Sequence, residues 1–347
     1  MSDGDHKGTV FLTGASGFIA KHIVLQLLNA GYKVRGSVRS LSRADEVRDA
    51  VKPHLNDGAG LDERLTFTEL DLGKDEGWQG VMEGCSALLH TASPFPIVQP
   101  KTDEEIIRPA VDGTLRALRE ANRAGIDRVV LTASAVAVMY GDLPAGRTVY
   151  DERDWSQDDH PTQNAYGRSK THAERAAWDF VANEAPDMKL TTINPVLVTG
   201  PSLDKNIGTS LEVVERVLKS SDPMLPRFGI PLADVRDVAA MHVNALSTPE
   251  SAGQRVLAAE GFLWMAEMAT IMQERYPERK IKNAVAPDFM LRFLSLFDPS
   301  IKTILPQLGI VKDVSNERAK SLLGIDFIPA RESLLAATDS LIEHRGL

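Results

Sequence analysis

The sequence of 347 residues holds a single cysteine, Cys85, so no disulfide can form within the chain, and the usage fits a reducing compartment. No uninterrupted apolar run approaches the roughly 18 residues of a membrane span. The opening segment, Met1-Ser2-Asp3-Gly4-Asp5-His6-Lys7, is polar and acidic where a secretory signal would be apolar. A cytoplasmic location is the expectation. Positive charge is also short: 39 Lys and Arg against 48 Asp and Glu leave a net charge of −9, which argues against a nucleic acid or an anionic membrane as partner. The 8 histidines are scattered without ligand spacing, and one cysteine cannot build a thiolate site, so no metal is expected. The hydrolytic Gly-x-Ser-x-Gly signature, internal repeats and low-complexity tracts are missing too. What remains is an ordinary globular composition, 43% hydrophobic and 25% charged, with a small molecule as partner.

The organising stretch is Thr13-Gly14-Ala15-Ser16-Gly17-Phe18-Ile19-Ala20. Before it, Gly8 to Leu12 is apolar and β-branched, the pattern of a buried parallel strand. After it, Lys21 to Leu28 is apolar at helical spacing and is closed by Gly31. Strand, glycine turn and helix in that order are the context in which glycines of this spacing hold a dinucleotide. Gly14 permits the tight turn, and Gly17 removes a Cβ where a pyrophosphate must approach backbone N–H groups. Ser16, Phe18 and Ile19 lie where the first helical turn directs unpaired donors at the phosphates, and Ala20 is small enough for the helix to pack on its strand. The plain alternative is a strand-to-helix turn with incidental glycines.

The second strand, Lys33 to Arg39, ends without the Asp or Glu that binds a ribose 2′-OH in NAD-preferring folds. Arg39 and Ser40 stand there, with Arg43 following. A guanidinium binds a 2′-phosphate that a carboxylate would repel, so the expected cofactor is NADP(H). Otherwise Arg39 and Arg43 are surface arginines of an acidic protein. Asp71, with Leu72 beside it, ends a third strand, placed either to accept from the adenine amino group or to cap the next helix. Cys85 to Ala92 reads as a fourth strand, and Thr91, Ala92 and Ser93 are small enough for the cofactor to lie close. His90 reads as a packed core residue. Arg128 to Ser134 is a fifth strand, in which Thr132 and Ser134 carry hydroxyls toward the crevice.

Strands alternating with helices predict an α/β fold, a Rossmann-type doubly wound parallel sheet with a smaller, mostly helical substrate-binding lobe. A long helix is expected from Asp103 to Ala124, a turn-rich loop from Gly141 to Pro161, and a helix from Thr162 to Glu184. Pro195 is expected to stop the strand that opens at Leu190. Pro223, Pro226 and Pro231 break the chain beyond it, and from Leu263 on helices are expected to dominate, apart from a short strand near Ile281 to Val285. The dinucleotide-binding domain is therefore assigned to 1–195, with 235–262 returning to it and Arg255 to Ala259 rejoining the sheet. The substrate-side lobe is assigned to 196–347.

Tyr166-Gly167-Arg168-Ser169-Lys170 sets a phenol and an ammonium at i and i+4, on one face of a helix. A free tyrosine has a pKa near ~10, and a neighbouring cation favours the phenolate and lowers it. The pair gains meaning from Ser134, which can hold a carbonyl oxygen while Tyr166 donates a proton to it. Lys170 would also bond the nicotinamide ribose hydroxyls. The alternative is a solvent-facing Tyr and Lys on an amphipathic helix. Ser93, Pro94, Phe95, Ser134, Met139, Tyr140, Tyr166, Leu203 and Phe228 flank these positions and are the candidate substrate contacts.

Taken together, TGASGFIA, Arg39/Arg43, Asp71-Leu72, Ser134 and Tyr166-x-x-x-Lys170 resemble an extended short-chain dehydrogenase/reductase. The nearer likeness is to the dihydroflavonol-reductase-like and cinnamoyl-CoA-reductase-like carbonyl reductases. His90 to Pro94, Ser169 to Glu174 and Asn194-Pro195-Val196-Leu197-Val198-x-Gly200-Pro201 match it, and the likeness runs from Gly8 to at least Ala259. It implies an NADPH-dependent reduction of ketones and aldehydes, with catalytic Ser134, Tyr166 and Lys170. It also implies cofactor contacts from Pro195 to Val198 and at Ser210. Many such reductases carry an asparagine where Asp112 stands, so a proton relay through the long helix does not carry over. Nucleotide-sugar epimerases and dehydratases share the cofactor domain and the Tyr/Lys pair. They would need basic residues for a diphosphate, and the 203–232 stretch offers only Lys205, Arg216, Lys219 and Arg227. A non-catalytic NADP sensor would have lost the tyrosine. The expected assembly is a monomer or homodimer.

Overall fold

In the computed structural model, which describes residues 7–93, 102–297 and 299–347, the opening apolar segment forms strand β1 (Thr9–Thr13). Alternation along β1 sends Val10 and Leu12 to one face and Phe11 to the other, so each face receives its own core. Helix α1 (Phe18–Asn29) follows the glycine turn, and Gly31 at φ 87° lets the chain reverse into β2 (Lys33–Val38). Next come α2 (Ala44–Val51), the single turn α3 (Leu61–Arg64), β3 (Leu65–Glu69) and β4 (Ala87–His90). They are followed by α4 (Glu104–Arg123), β5 (Arg128–Thr132), the two-residue β6 (Val149–Tyr150), α5 (Ala165–Asn183) and β7 (Lys189–Pro195).

Strand β7 ends at Pro195, where the sequence places its stop, and the chain runs on. It skips Val196 and continues as β8 (Leu197–Thr199), then α6 (Thr209–Leu218), β9 (Gly229–Asp234), α7 (Val235–Ser247) and β10 (Gln254–Ala258). Strand β11 (Glu260–Trp264) leads to α8 (Met265–Arg275), α9 (Asp288–Leu294), α10 (Pro299–Ile304), β12 (Asp313–Val314), α11 (Glu317–Leu323) and α12 (Ala330–Arg345).

Seven strands make one parallel sheet in the order β3-β2-β1-β4-β5-β7-β10. The order reverses between β1 and β4, and a ligand crevice opens at the carboxyl ends of strands at such a switch point. The two clusters bury the sheet on both sides. Ile23, Leu27 and Val238 from α1 and α7 cover one face, and Leu118, Ala121 and Phe180 from α4 and α5 the other. Beyond it β8, β9 and β11 form a separate three-stranded sheet, and β6 pairs with β12.

Two expectations change. Pro231 does not break the chain but lies inside β9, opposite Phe262 and next to the register shift between Glu260 and Phe262 of β11. Such an irregularity is where a strand residue without an N–H can be accommodated. The segment near Ile281 to Val285 contributes only an isolated bridge, Leu225 to Val285. No helix among the described residues is long and apolar enough to cross a membrane.

Candidate active site

The turn after β1 is held by hydroxyls from its neighbours. Ser37 at the end of β2 receives the Gly14 N–H on Oγ at 3.0 Å and the Ala15 N–H on its carbonyl at 2.8 Å. Gly14 has φ 68°, and a Cβ there would stand 2.8 Å from the Ala92 Cβ, so turn and β4 extension approach as only glycine allows. Thr13 Oγ1 accepts from the Thr91 and Ala92 N–H groups at 3.1 Å each and lies 2.8 Å from His90 Nδ1. Burial pushes His90 down to about 3, so the ring is neutral, and with Thr13 Oγ1 already accepting two N–H groups its hydroxyl donates to Nδ1. His90 is the packed residue the sequence indicates.

Helix α1 begins at Phe18 without a side-chain cap, so its first N–H groups face the crevice unpartnered by side chains. The cleft in front of them has a volume of about 420 Å³. Gly14, Ser16, Gly17, Phe18, Ile19, Arg39, Arg43, Leu72, Thr91, Ala92, Ser93 and Thr132 line it, with Pro195, Val198 and Ser210 from the other side. Uncapped donors, a glycine-only approach and two arginines on one cleft fit a pyrophosphate with a further phosphate at the ribose. Among the described residues Arg39 is exposed and has no ion-pair partner. Arg43, by contrast, is held at two points by Glu46, Nε to Oε2 and Nη2 to Oε1 at 3.0 Å each.

At the other end of the cleft Ser134, Tyr166 and Lys170 come together. Ser134 ends the β5 segment and caps the short turn Ala135–Ala137, accepting the Val136 N–H at 3.3 Å. Asn164 caps α5 by accepting the Gly167 N–H at 2.8 Å, which sets Tyr166 and Lys170 on the first turns. The Lys170 ammonium lies 5.7 Å from the Tyr166 ring centroid. Both residues keep part of their surface on the cleft while the protein surrounds them.

The electrostatics differ from the expected lowering of the phenol. Burial pushes the Tyr166 pKa up, and the hydrogen bond with Ser134 draws it part of the way back. Lys170 is itself pushed down to about 8 by the same burial. Desolvation penalises phenolate and ammonium alike, and it is the largest cause of both shifts.

Behind this site a buried ion pair ties α5 to the sheet. Glu174 accepts from Arg255 Nε at 2.8 Å, from Asn194 Nδ2 at 2.7 Å and from Thr192 Oγ1 at 2.9 Å. Asn194 Nδ2 also donates to the Ser134 carbonyl at 3.2 Å, and Arg255 stacks 3.7 Å from the Trp155 ring centroid.

Several sequence candidates lie elsewhere. Asp71 is exposed and its Oδ1 accepts the Gly73 N–H at 2.9 Å, so it caps a turn while Leu70 and Leu72 line the cleft. Tyr140 does not line the cleft, because the turn after Ser134 carries it inward among Val138, Met139 and Val314. Its hydroxyl donates to Gln307 Oε1 at 3.4 Å, and burial pushes it up to about 12. Phe228 packs half-buried against the large core, as does Leu203. Asp112 is turned to solvent, 3.5 Å from Arg108, and does not line the cleft. Pro94 and Phe95 fall outside the described residues. Residues not singled out beforehand also line the cleft, among them Ser37, Val38, Ala133, Gly208 and Thr209. Their signal was positional: each adjoins a strand end or the start of α6.

Residues 10–258 match the model of the NAD dependent epimerase/dehydratase family. The sequence is 34% identical over 338 residues to cinnamoyl-CoA reductase 1 of Petunia hybrida, covering 96% of this chain and 92% of that one. It is 33% identical to a putative NADPH-dependent methylglyoxal reductase of Candida albicans, over 94% of this chain and 96% of that one. Among solved structures, yeast methylglyoxal/isovaleraldehyde reductase Gre2 complexed with NADPH superposes with a TM-score of 0.78 at 28% identity, covering 97% of this chain and 99% of Gre2.

Proposed function

This chain belongs to the NAD dependent epimerase/dehydratase family, in its extended short-chain dehydrogenase/reductase branch, and from that premise we propose that it is an NADPH-dependent reductase of aldehyde or ketone carbonyls. The observation that carries this reading is the convergence of Ser134, Tyr166 and Lys170 on the cleft that Gly14, Gly17, Arg39 and Arg43 also line. The relatives named above are reductases, two of them NADPH enzymes by name, which favours net reduction over sugar epimerisation.

The α1 N-terminus would take the pyrophosphate, and Arg39 with Arg43 the ribose 2′-phosphate. The bound cofactor supplies a hydride to the carbonyl carbon. Ser134 Oγ, on the β5 side, holds the carbonyl oxygen. Tyr166 gives its proton to that oxygen as negative charge develops on it, so the donor must be protonated beforehand. A phenol raised by burial meets that condition at neutral pH. Lys170 stabilises the phenolate left behind and orients the nicotinamide ribose. Solvent then returns the proton to Tyr166.

The test is steady-state consumption of NADPH with a panel of simple aldehydes and ketones, run beside nucleotide sugars. Stoichiometric oxidation with the carbonyls alone supports the reading. Turnover of a nucleotide sugar without net cofactor consumption would replace it with epimerisation.

A further inference from the structure

A carboxylate beside the adenosine ribose is the feature that selects against NADP, yet Glu46 stands one guanidinium away from the expected 2′-phosphate position. Its other neighbour is Lys21, in the second turn of α1 and only 2% exposed. Lys21 Nζ lies 2.7 Å from Glu46 Oε1 and also bonds Asp204 Oδ2. Asp204 belongs to the loop that leads to Gly208, Thr209 and Ser210 on the far wall of the cleft, and its Oδ1 accepts the Asn206 N–H at 3.0 Å. Glu46 is held below the usual carboxylate range, despite its partial burial, by hydrogen bonds from Arg43 and Lys21. It therefore keeps its negative charge beside Arg43, which lines the cleft.

We propose that Lys21 is a positioning residue for cofactor choice: it cancels the charge of Glu46, so that the carboxylate which fixes Arg43 at two points does not repel a 2′-phosphate. The inference rests on the reading that Arg39 and Arg43 receive that phosphate. Arg43 needs Glu46 for its geometry, because a free arginine side chain loses rotamer freedom on binding. Glu46 needs Lys21, because an uncompensated carboxylate this close would act against the arginines it serves. Asp204 draws on the same ammonium and so limits how fully Glu46 is neutralised.

The experiment measures dissociation constants of NADPH and NADH by cofactor fluorescence, without any carbonyl substrate. Lys21→Met is expected to weaken NADPH about tenfold, the size of one charge interaction at a partly buried site, and NADH about twofold or less. Adding Glu46→Gln to it should restore NADPH to within about threefold of the parent, and Lys21→Arg should keep the preference. Asp204→Asn leaves the ammonium to Glu46 and should hold or raise the NADPH-to-NADH affinity ratio, which tests the proposal even if Lys21→Met does not fold. Equal weakening of both cofactors by Lys21→Met, failure of the double variant to recover, or a lower ratio in Asp204→Asn would each overturn it. A parent that binds NADPH no tighter than NADH would overturn the cofactor reading as well, which separates the two failures.

Discussion

An acid that serves one proton per turnover has to hold that proton first, and burial of the Tyr166 phenol secures this at neutral pH. Tyr166→Phe removes the donor and leaves the cofactor cleft intact. It should lower kcat by about 10²–10⁴-fold with little change in NADPH dissociation, and wild-type turnover would place the acid elsewhere. Lys170 titrates nearer the working range, at about 8. Loss of its charge removes the stabiliser of the phenolate, so kcat/KM for reduction should fall as pH rises above about 8, and a profile flat through pH 9 would contradict the assignment. Among the described residues Arg39 has no ion-pair partner, unlike Arg43. Arg39→Ala should raise the NADPH KM about tenfold and the NADH KM far less; equal effects would remove it from 2′-phosphate recognition.

At the scale of elements, α5 is both the catalytic helix and one half of a buried joint. One end carries Tyr166 and Lys170, and two turns on Glu174 meets Arg255 of β10. Through Asn194 the same carboxylate reaches the Ser134 backbone, so a buried ion pair and its hydrogen bonds tie the helix to the strand that leads to Ser134. Removing one partner strands the other charge in the interior. Glu174→Ala should cost about 3–5 kcal/mol in urea unfolding and should lower kcat more than it weakens NADPH. A loss below about 1 kcal/mol would show that Arg255 finds another acceptor. This joint was invisible in the sequence, since Glu174 and Arg255 are far apart in the chain and each alone reads as a surface residue.

For the molecule as a whole, three buried neutral histidines set the response to acid. His22, His90 and His242 are pushed down to about 4, 3 and 4 by burial. Unfolded, each titrates near ~6.5, so between that pH and about 4 the unfolded chain binds more protons than the folded one. Stability should therefore fall as pH is lowered through this window. Asp237, raised to about 6, acts in the opposite sense, since the folded state holds its proton more tightly. Three groups against one give a net loss, and the Tm should drop steadily from pH 6.5 to 4. A Tm that stays level would mean the histidines charge without unfolding. Above neutrality Lys170 and Lys312, lowered to about 8 and 7, act in the same sense as the histidines: the unfolded chain holds the extra protons, and stability gains as pH rises toward ~10.

Local pattern was enough to read the strands of the large sheet, the glycine turn, the long helices and the placing of Ser134, Tyr166, Lys170, Arg39 and Arg43 on one cleft, because each is written in a short window of period, cap or charge. It was also enough for the late return of Arg255 to Ala259 to the large sheet. It was not enough for β8, β9 and β11, whose pairing joins segments far apart and tolerates Pro231 only beside a bulge. Nor could it decide which face a side chain takes. Tyr140 turns into a packed cluster and Asp71 caps a turn, while Lys21 is buried between two carboxylates. Burial and the company of distant charges are properties of the assembled fold, and they set the protonation of the site and the partners of its arginines.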